Sequence, residues 1–177
     1  MNDKLVKLNL GCSDRLRGDG FTNVDRCEPA DLVVDLEQLP WPWETSSVDE
    51  IVADDILEHI WPTTDSSVVE GVSLHLKRQP VKYPIIALMN EIWRVLKPGG
   101  VIHIFIPTTD GRGAWQDPTH VTFWSRNTFF YFTDGVPERE RFGKSYGIEA
   151  RFKVTGEVQN QYPNEVSKLT ISLQAVK

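Results

Sequence analysis

At 177 residues the chain is sized for one domain, 1–177, large enough to bury about 70% of its unfolded surface without metals or disulfides. With 40% apolar and 25% charged residues it is ordinary globular material, and no apolar run approaches the roughly 20 residues that span a membrane. Net charge is −6, and residues 1–60 hold 5 Lys or Arg against 14 Asp or Glu, an acidic half that argues against an extended nucleic-acid surface.

The N-terminus lacks the long apolar segment of a secretory signal, so a cytoplasmic protein is expected, with Cys12 and Cys27 as free thiols. Residues 5–10 read as a first strand, apolar enough to be central in a parallel sheet. The strand ends in Gly11, and a second apolar segment, residues 21–25, ends in Asp25. A strand, a tight glycine turn and a second parallel strand closing on a carboxylate is the arrangement in which that acid accepts hydrogen bonds from a ribose. Gly11 is followed by Cys12 and Ser13 and not by the glycines that admit a pyrophosphate. Residues 12–20 are also too few for a full helix whose N-terminus would hold a phosphate. A nucleoside cofactor without phosphates fits better, and S-adenosylmethionine is the common one.

Residues 30–36 form a third expected strand, carrying Asp35 and Leu36 and followed by a Trp- and Pro-rich stretch that excludes regular structure. Residues 48–53 form a fourth, followed by Asp54, Asp55, Ile56 and a short turn holding Glu58 and His59. Residues 61–84 break the alternation and read as an insertion or lid over the strand ends, with a weak helix over 65–77 interrupted by Gly71. Ile85, Met89, Ile92 and Leu96 make a helical stripe that stops at Lys97-Pro98-Gly99-Gly100. Residues 101–106 are a fifth strand, and a long loop runs from Pro107 to Trp124. Ser125 is a candidate N-cap, and residues 152–160 and 168–177 alternate as a closing antiparallel hairpin would.

The long loop leaves the fifth strand at the end where open α/β sheets bind ligands, so His120 within Gln116-Asp117-Pro118-Thr119-His120 is the candidate proton acceptor. A side chain with a pKa of about 6.5 can take a proton from a hydroxyl or amine, and Asp117 can orient the ring. The bland alternative is that His120 ties the loop to the sheet. His103, inside a strand, reads as a satisfied buried histidine, and His75 as a surface one. Neither has metal-ligand spacing, and no metal site is expected. The tryptophans are expected mostly to close the core.

Four landmarks stand in order: LNLGC with a following NVD, the DL of VVDL, SVDEIVADDILEHI, and EIWRVLKPGG before a strand. Together they resemble the class I S-adenosylmethionine-dependent methyltransferases over most of the chain, and are most similar to a small branch associated with glycan-modification clusters or phage genomes, in which a loop like DPTHVTFWS recurs. The resemblance implies backbone contacts to the methionyl part at Gly11, Cys12 and Ser13, ribose hydroxyls on Asp25, adenine beside Asp35 and Leu36, and Asp54, Asp55 and Ile56 on the methionyl side; His59 joins this cofactor set. The chain departs from the superfamily at the first motif, where further glycines and a full helix are missing.

The expectation is a three-layer Rossmann-like α/β fold with a mostly parallel seven-stranded sheet, an antiparallel last strand and a shortened first crossover. The function expected is methyl transfer from S-adenosylmethionine to a small-molecule or saccharide-like acceptor, with a homo-oligomer left open. The alternatives are a catalytically silent binding or partner subunit on the same fold, and aminopropyl transfer.

Overall fold

The structure, a computed structural model, describes residues 5–65 and 78–177. Its main sheet contains β1 (Lys7–Leu10), β2 (Phe21–Asp25), β3 (Leu32–Val33), β5 (Val48–Asp54), β8 (Leu96–Pro107), β9 (Phe152–Tyr162) and β10 (Val166–Ala175). These lie in the order β3-β2-β1-β5-β8-β10-β9. β1 pairs in parallel with β2 on one side and β5 on the other, so Leu10 lies between Val24 and Ala53. β5 continues in parallel to β8, and β10 runs antiparallel to both β8 and β9. The seven-stranded α/β sheet with one reversed strand, the last in the chain, is therefore as expected. The strand order changes direction at β1 and β5, which is where such sheets open a crevice beyond their carboxyl ends.

Alternation along the strands puts Leu8, Leu10, Ile51, Ala53, Ile102, Ile104, Leu169 and Ile171 on one face, in a single buried cluster. The helix α1 (Pro84–Val95) adds Leu88, Met89, Ile92 and Val95 to that cluster. It begins with Pro84, whose missing N–H needs no intrahelical partner at a first turn, and it stops before Lys97-Pro98, since a residue preceding proline is pushed out of helical geometry. The turn formed by Arg126–Phe132 contributes Phe129 and Phe132, capped as expected by Ser125 in a reciprocal box with Thr128.

The opposite face is polar. Lys7, Glu50, His103 and Ser172 form a row across β1, β5, β8 and β10, joined by contacts of 2.8, 3.6 and 2.8 Å. His103, expected to be buried, has a side chain 44% exposed here, because its strand position points away from the core that its neighbours Ile102 and Ile104 enter. The loop between β1 and β2 is fastened to this face at Asn9 and Asn23. That loop, residues 12–20, contains no helix, as its length required.

Two buried amides hold the loop in place of a helix. The Asn9 side chain donates to the Arg15 carbonyl (3.1 Å) and to Asn23 Oδ1 (2.9 Å), while Asn23 accepts from the Arg17 N–H (2.7 Å) and donates to its carbonyl (3.0 Å). Asp31 completes the network by accepting both the backbone and side-chain N–H of Asn23, which holds its carboxyl below the ordinary aspartate range.

Differences from the expected elements have local causes. The third strand is two residues, not seven, since it is an exposed edge following Pro29. A second small sheet joins β4 (Gln38–Leu39), β6 (Thr63–Asp65) and β7 (Arg78–Pro80), the last two lying inside the expected insertion, 61–84. Residues 66–77, with the expected weak helix and His75, lie outside the described residues. The short α2 (Gly113–Gln116) sits in the long loop, and α3 (Pro137–Tyr146) packs on the Arg126–Phe132 turn. Trp41 and Trp124 are buried as expected, whereas Trp115 is 60% exposed and stacks on Phe123. Among the described residues no helix is long and apolar enough to cross a membrane.

Candidate active site

The carboxyl ends of β1, β2 and β5 surround a cavity of about 610 Å³, inside the roughly 300–1,000 Å³ range of small-molecule sites. Of the residues expected at a cofactor, Gly11, Ser13, Asp25, Asp35, Leu36, Asp55, Ile56 and His59 line it. Gly11 has φ +63°, and a Cβ there would overlap the Ile56 side chain on the cavity wall. Glycine is thus required twice over, by backbone geometry and by contact. Ser13 and Asp55 also sit at positive φ, 47° and 52°, a sparsely populated conformation that recurs at ligand sites.

Asp25 bridges the first turn: its Oδ2 accepts from the Ser13 N–H at 2.9 Å and its Oδ1 from the Arg26 N–H at 2.7 Å. The Cys27 thiol also donates to Oδ1, at 3.7 Å, so with two lone pairs on each oxygen Oδ2 keeps a free position for a ligand and Oδ1 can take a second strong donor only in place of the thiol. Asp35 accepts from the Glu37 N–H at 3.1 Å and pairs with Arg78 Nη1 at 2.6 Å, which brings β7 to the cavity wall.

Two residues of the expected cofactor set stand elsewhere. Cys12 is buried, its N–H is spent on the Val24 carbonyl (3.1 Å), and with Asp54 it lines a neighbouring cavity of about 250 Å³. Asp54 lies on the polar sheet face, 3.4 Å from Arg15. Arg15, Arg26, Glu37, Ile60, Thr119 and Val121 line the main cavity without having been expected there. The last two belong to the DPTHVTFWS stretch, the signal that could have found them, and Ile60 closes the SVDEIVADDILEHI landmark; Arg15, Arg26 and Glu37 sit in loops outside the quoted motifs.

A third cavity, about 200 Å³, adjoins the first and shares Asp55 and His59 with it. Glu58, Asp117, His120 and Lys168 also line it. The loop carrying His120 is docked on the turn Leu57–His59: the N–H groups of Val121 and Thr122 donate to the Glu58 carbonyl at 2.8 and 3.0 Å, and the Thr122 hydroxyl donates to the Leu57 carbonyl at 2.8 Å. Trp124 anchors the arrangement from the core, its indole N–H donating to Thr122 Oγ1 at 2.9 Å. The rings of His59 and His120 meet edge to face with centroids 4.8 Å apart.

Asp117, expected to orient His120, reaches it only at 4.0 Å. It acts instead on His59: the Thr119 hydroxyl lies 2.6 Å from Asp117 Oδ1 and 3.0 Å from His59 Nδ1. His120 is held by the Ala114 carbonyl, 3.0 Å from its Nδ1. Thr119 also keeps the Asp117 carboxyl below the ordinary range, first through its hydroxyl. Burial, and then His120, lowers the His59 pKa. Glu58 is 2% exposed and its Oε1 lies 4.0 Å from His120 Nε2; burial, with Asp55 and Asp54 adding to it, raises its pKa to about 8. Lys168 pairs with Asp55 at 2.6 Å. The sequence reading named no metal ligands, yet Glu58, His59 and His120 bring ligand-type atoms within 4.8 Å of one another.

In fold, the chain is a class I methyltransferase-type α/β sheet, and its structural neighbours include S-adenosylmethionine-dependent methyltransferases. The N-methyltransferase NodS of Bradyrhizobium japonicum, solved with S-adenosyl-L-homocysteine, is similar at TM-score 0.55 and 13% identity, over 98% of this chain and 79% of that one. The Burkholderia thailandensis 1,6-didemethyltoxoflavin-N1-methyltransferase is similar at 0.52 and 15%, over 97% and 71%. The [4+2]-cyclase SpnF is similar at 0.56 and 13%, over 99% and 76%. No protein-family model and no curated protein matches the sequence.

Proposed function

We propose that the protein transfers a methyl group from S-adenosylmethionine to a small, saccharide-like or otherwise hydroxylated acceptor in the cytoplasm. The observation that carries this is the pair of adjoining cavities sharing Asp55 and His59: one is cofactor-sized, and the other can admit only a small group. Asp25 and Asp35 would hold the nucleoside in the first cavity, and Asp55 and Ile56 would line the side of the sulfonium. NodS and the toxoflavin enzyme, each solved with S-adenosylhomocysteine, support that cofactor. The acids around the cavity suit a cationic sulfonium.

In the step itself the acceptor heteroatom forms a bond to the methyl carbon as the carbon–sulfur bond breaks. Its electron pair returns to sulfur, leaving a neutral thioether. The acceptor's proton is lost at the group formed by Glu58, His59 and His120. The protein's other task is to align nucleophile, carbon and sulfur and to keep water out. Asp117 contributes one step removed, through Thr119 on His59. His120→Gln is expected to lower turnover about 10²- to 10⁴-fold with cofactor affinity unchanged. Of the expected lid, the described residues 78–84 would form part of the cavity wall, with Arg78 on Asp35 as the contact that supports this.

The test is incubation with methyl-labelled S-adenosylmethionine and a panel of small hydroxylated acceptors, including sugars, with label followed into product. Label transfer with stoichiometric S-adenosylhomocysteine is expected. A second reading, a binding or partner subunit that transfers no methyl group, draws on the shortened first crossover and on the likeness to a cyclase. Cofactor binding without transfer to any acceptor would favour it, and aminopropyl transfer from the decarboxylated cofactor would point to the third chemistry.

A further inference from the structure

The imidazoles and carboxylate at the junction of the two cavities have more order than proton transfer needs. Their ligand-type atoms converge within 4.8 Å. Atoms bound tetrahedrally to one cation at about 2.0–2.2 Å stand roughly 3.3–3.6 Å apart, so the widest pair closes by about an ångström or slightly more, shared between two side chains by rotation about their χ angles.

Hydrogen bonding assigns the ring nitrogens. The Ala114 carbonyl can only accept, so His120 Nδ1 carries the proton and its Nε2 presents a lone pair. The Thr119 hydroxyl gives its single proton to Asp117 Oδ1 across 2.6 Å, so it accepts from His59 Nδ1 and frees that ring's Nε2 as well. This is how metal-binding imidazoles are held: one nitrogen donates to a carbonyl or to a carboxylate-backed group, which fixes the ring and raises the basicity of the other.

The third member points independently to a ligand. Glu58 is 2% exposed, and its buried Oε2 has no hydrogen-bond partner among the described residues. An unpaired carboxylate oxygen in a nearly dry position is costly, and a cation removes that cost. The backbone clamp from Val121 and Thr122 to the Glu58 carbonyl fixes the two donor segments against each other before any ligand arrives.

We propose that Glu58, His59 and His120 form a site for one divalent transition-metal cation of the zinc class. Two imidazoles and one carboxylate suit such a cation and not magnesium or calcium, which take oxygen donors. Three protein ligands leave a position open, the mark of a catalytic rather than a structural site, and here it faces the small cavity. Resting on the methyl-transfer reading, the inference changes how its proton leaves: with both imidazoles serving as ligands and no longer as proton acceptors, the acceptor presents a hydroxyl oxygen to the cation, which lowers the hydroxyl pKa so that the proton passes to solvent before the methyl arrives.

The experiment is calorimetric titration of the untagged chain with Zn²⁺ under a competing chelator, alongside the visible spectrum with Co²⁺, both without acceptor or cofactor. One equivalent bound, with cobalt ligand-field bands, is expected. Thr119→Ala, an exposed change that keeps all three ligands, should weaken zinc binding about 10- to 100-fold, and His120→Ala should weaken it further. His103→Gln, on the polar sheet face, should leave it unchanged. No stoichiometric zinc in the wild-type chain, or equal binding by wild type, Thr119→Ala and His120→Ala, overturns the proposal. Because S-adenosylhomocysteine binding is measured separately, a failed zinc titration with intact nucleoside binding rejects the metal site alone.

Discussion

Gly11 and Asp25 test the cavity at the scale of single side chains. Gly11→Ala places a methyl against Ile56 at a backbone angle that costs an L-residue roughly 1–2 kcal/mol. A lower melting temperature and weaker nucleoside binding are expected together; an unchanged protein would show that the turn can relax. Asp25→Ala should weaken nucleoside binding by about 1.5–3 kcal/mol if the ribose contacts are charge-assisted. Some of that loss would come from freeing the Ser13 N–H, so Asp25→Asn, which can keep that bond, should lose less. Equal affinity for wild type and Asp25→Ala would leave Asp25 a turn fastener only. Most of this cavity was legible in the chain, because it is built from residues next to strand ends. Cys12 was not, since whether a loop N–H is free or spent on Val24 is decided by strand register.

Among the elements, the loop of residues 12–20 does the work of a helix through Asn9, Asn23 and Asp31. Asn23→Ala leaves the Arg17 N–H and C=O and one Asn9 donor without their partners, at about 1–3 kcal/mol for each buried group left unsatisfied. Faster amide exchange confined to residues 12–20 and a lower melting temperature are the expected signature; protection equal to wild type would contradict it. Asp31 adds a pH dependence of definite sign. Its carboxyl is depressed in the folded chain, so its contribution is present above the unfolded value of about 3.9 and disappears as pH falls through the lower folded value. Asp31→Asn should therefore lose the corresponding slope in acid unfolding. The missing helix was readable from loop length, but its replacement was not: Asn9 looks like an incidental polar residue until β2 brings Asn23 beside it.

For the molecule as a whole, α1 and the Arg126–Phe132 turn join the core on the apolar face of the sheet, and the ligand cavities open at one end of it. The strand pattern announced this end through Gly11, Asp25 and Asp55. The polar face went unread because VIHIFI looks uniformly apolar, although its His103 falls in alternation with Lys7 and Glu50 of neighbouring strands. The meeting of His59 and His120 was likewise hidden, since it depends on Val121 and Thr122 docking on Glu58 and on nothing periodic in the sequence. What unites these features is a nucleoside site beside a small acceptor site. Calorimetry of the metal-free chain with S-adenosylhomocysteine tests that directly. The account predicts one site per chain with affinity on the order of micromolar, about 8 kcal/mol, weakened by Asp25→Ala. No heat and no thermal shift at millimolar ligand would contradict it.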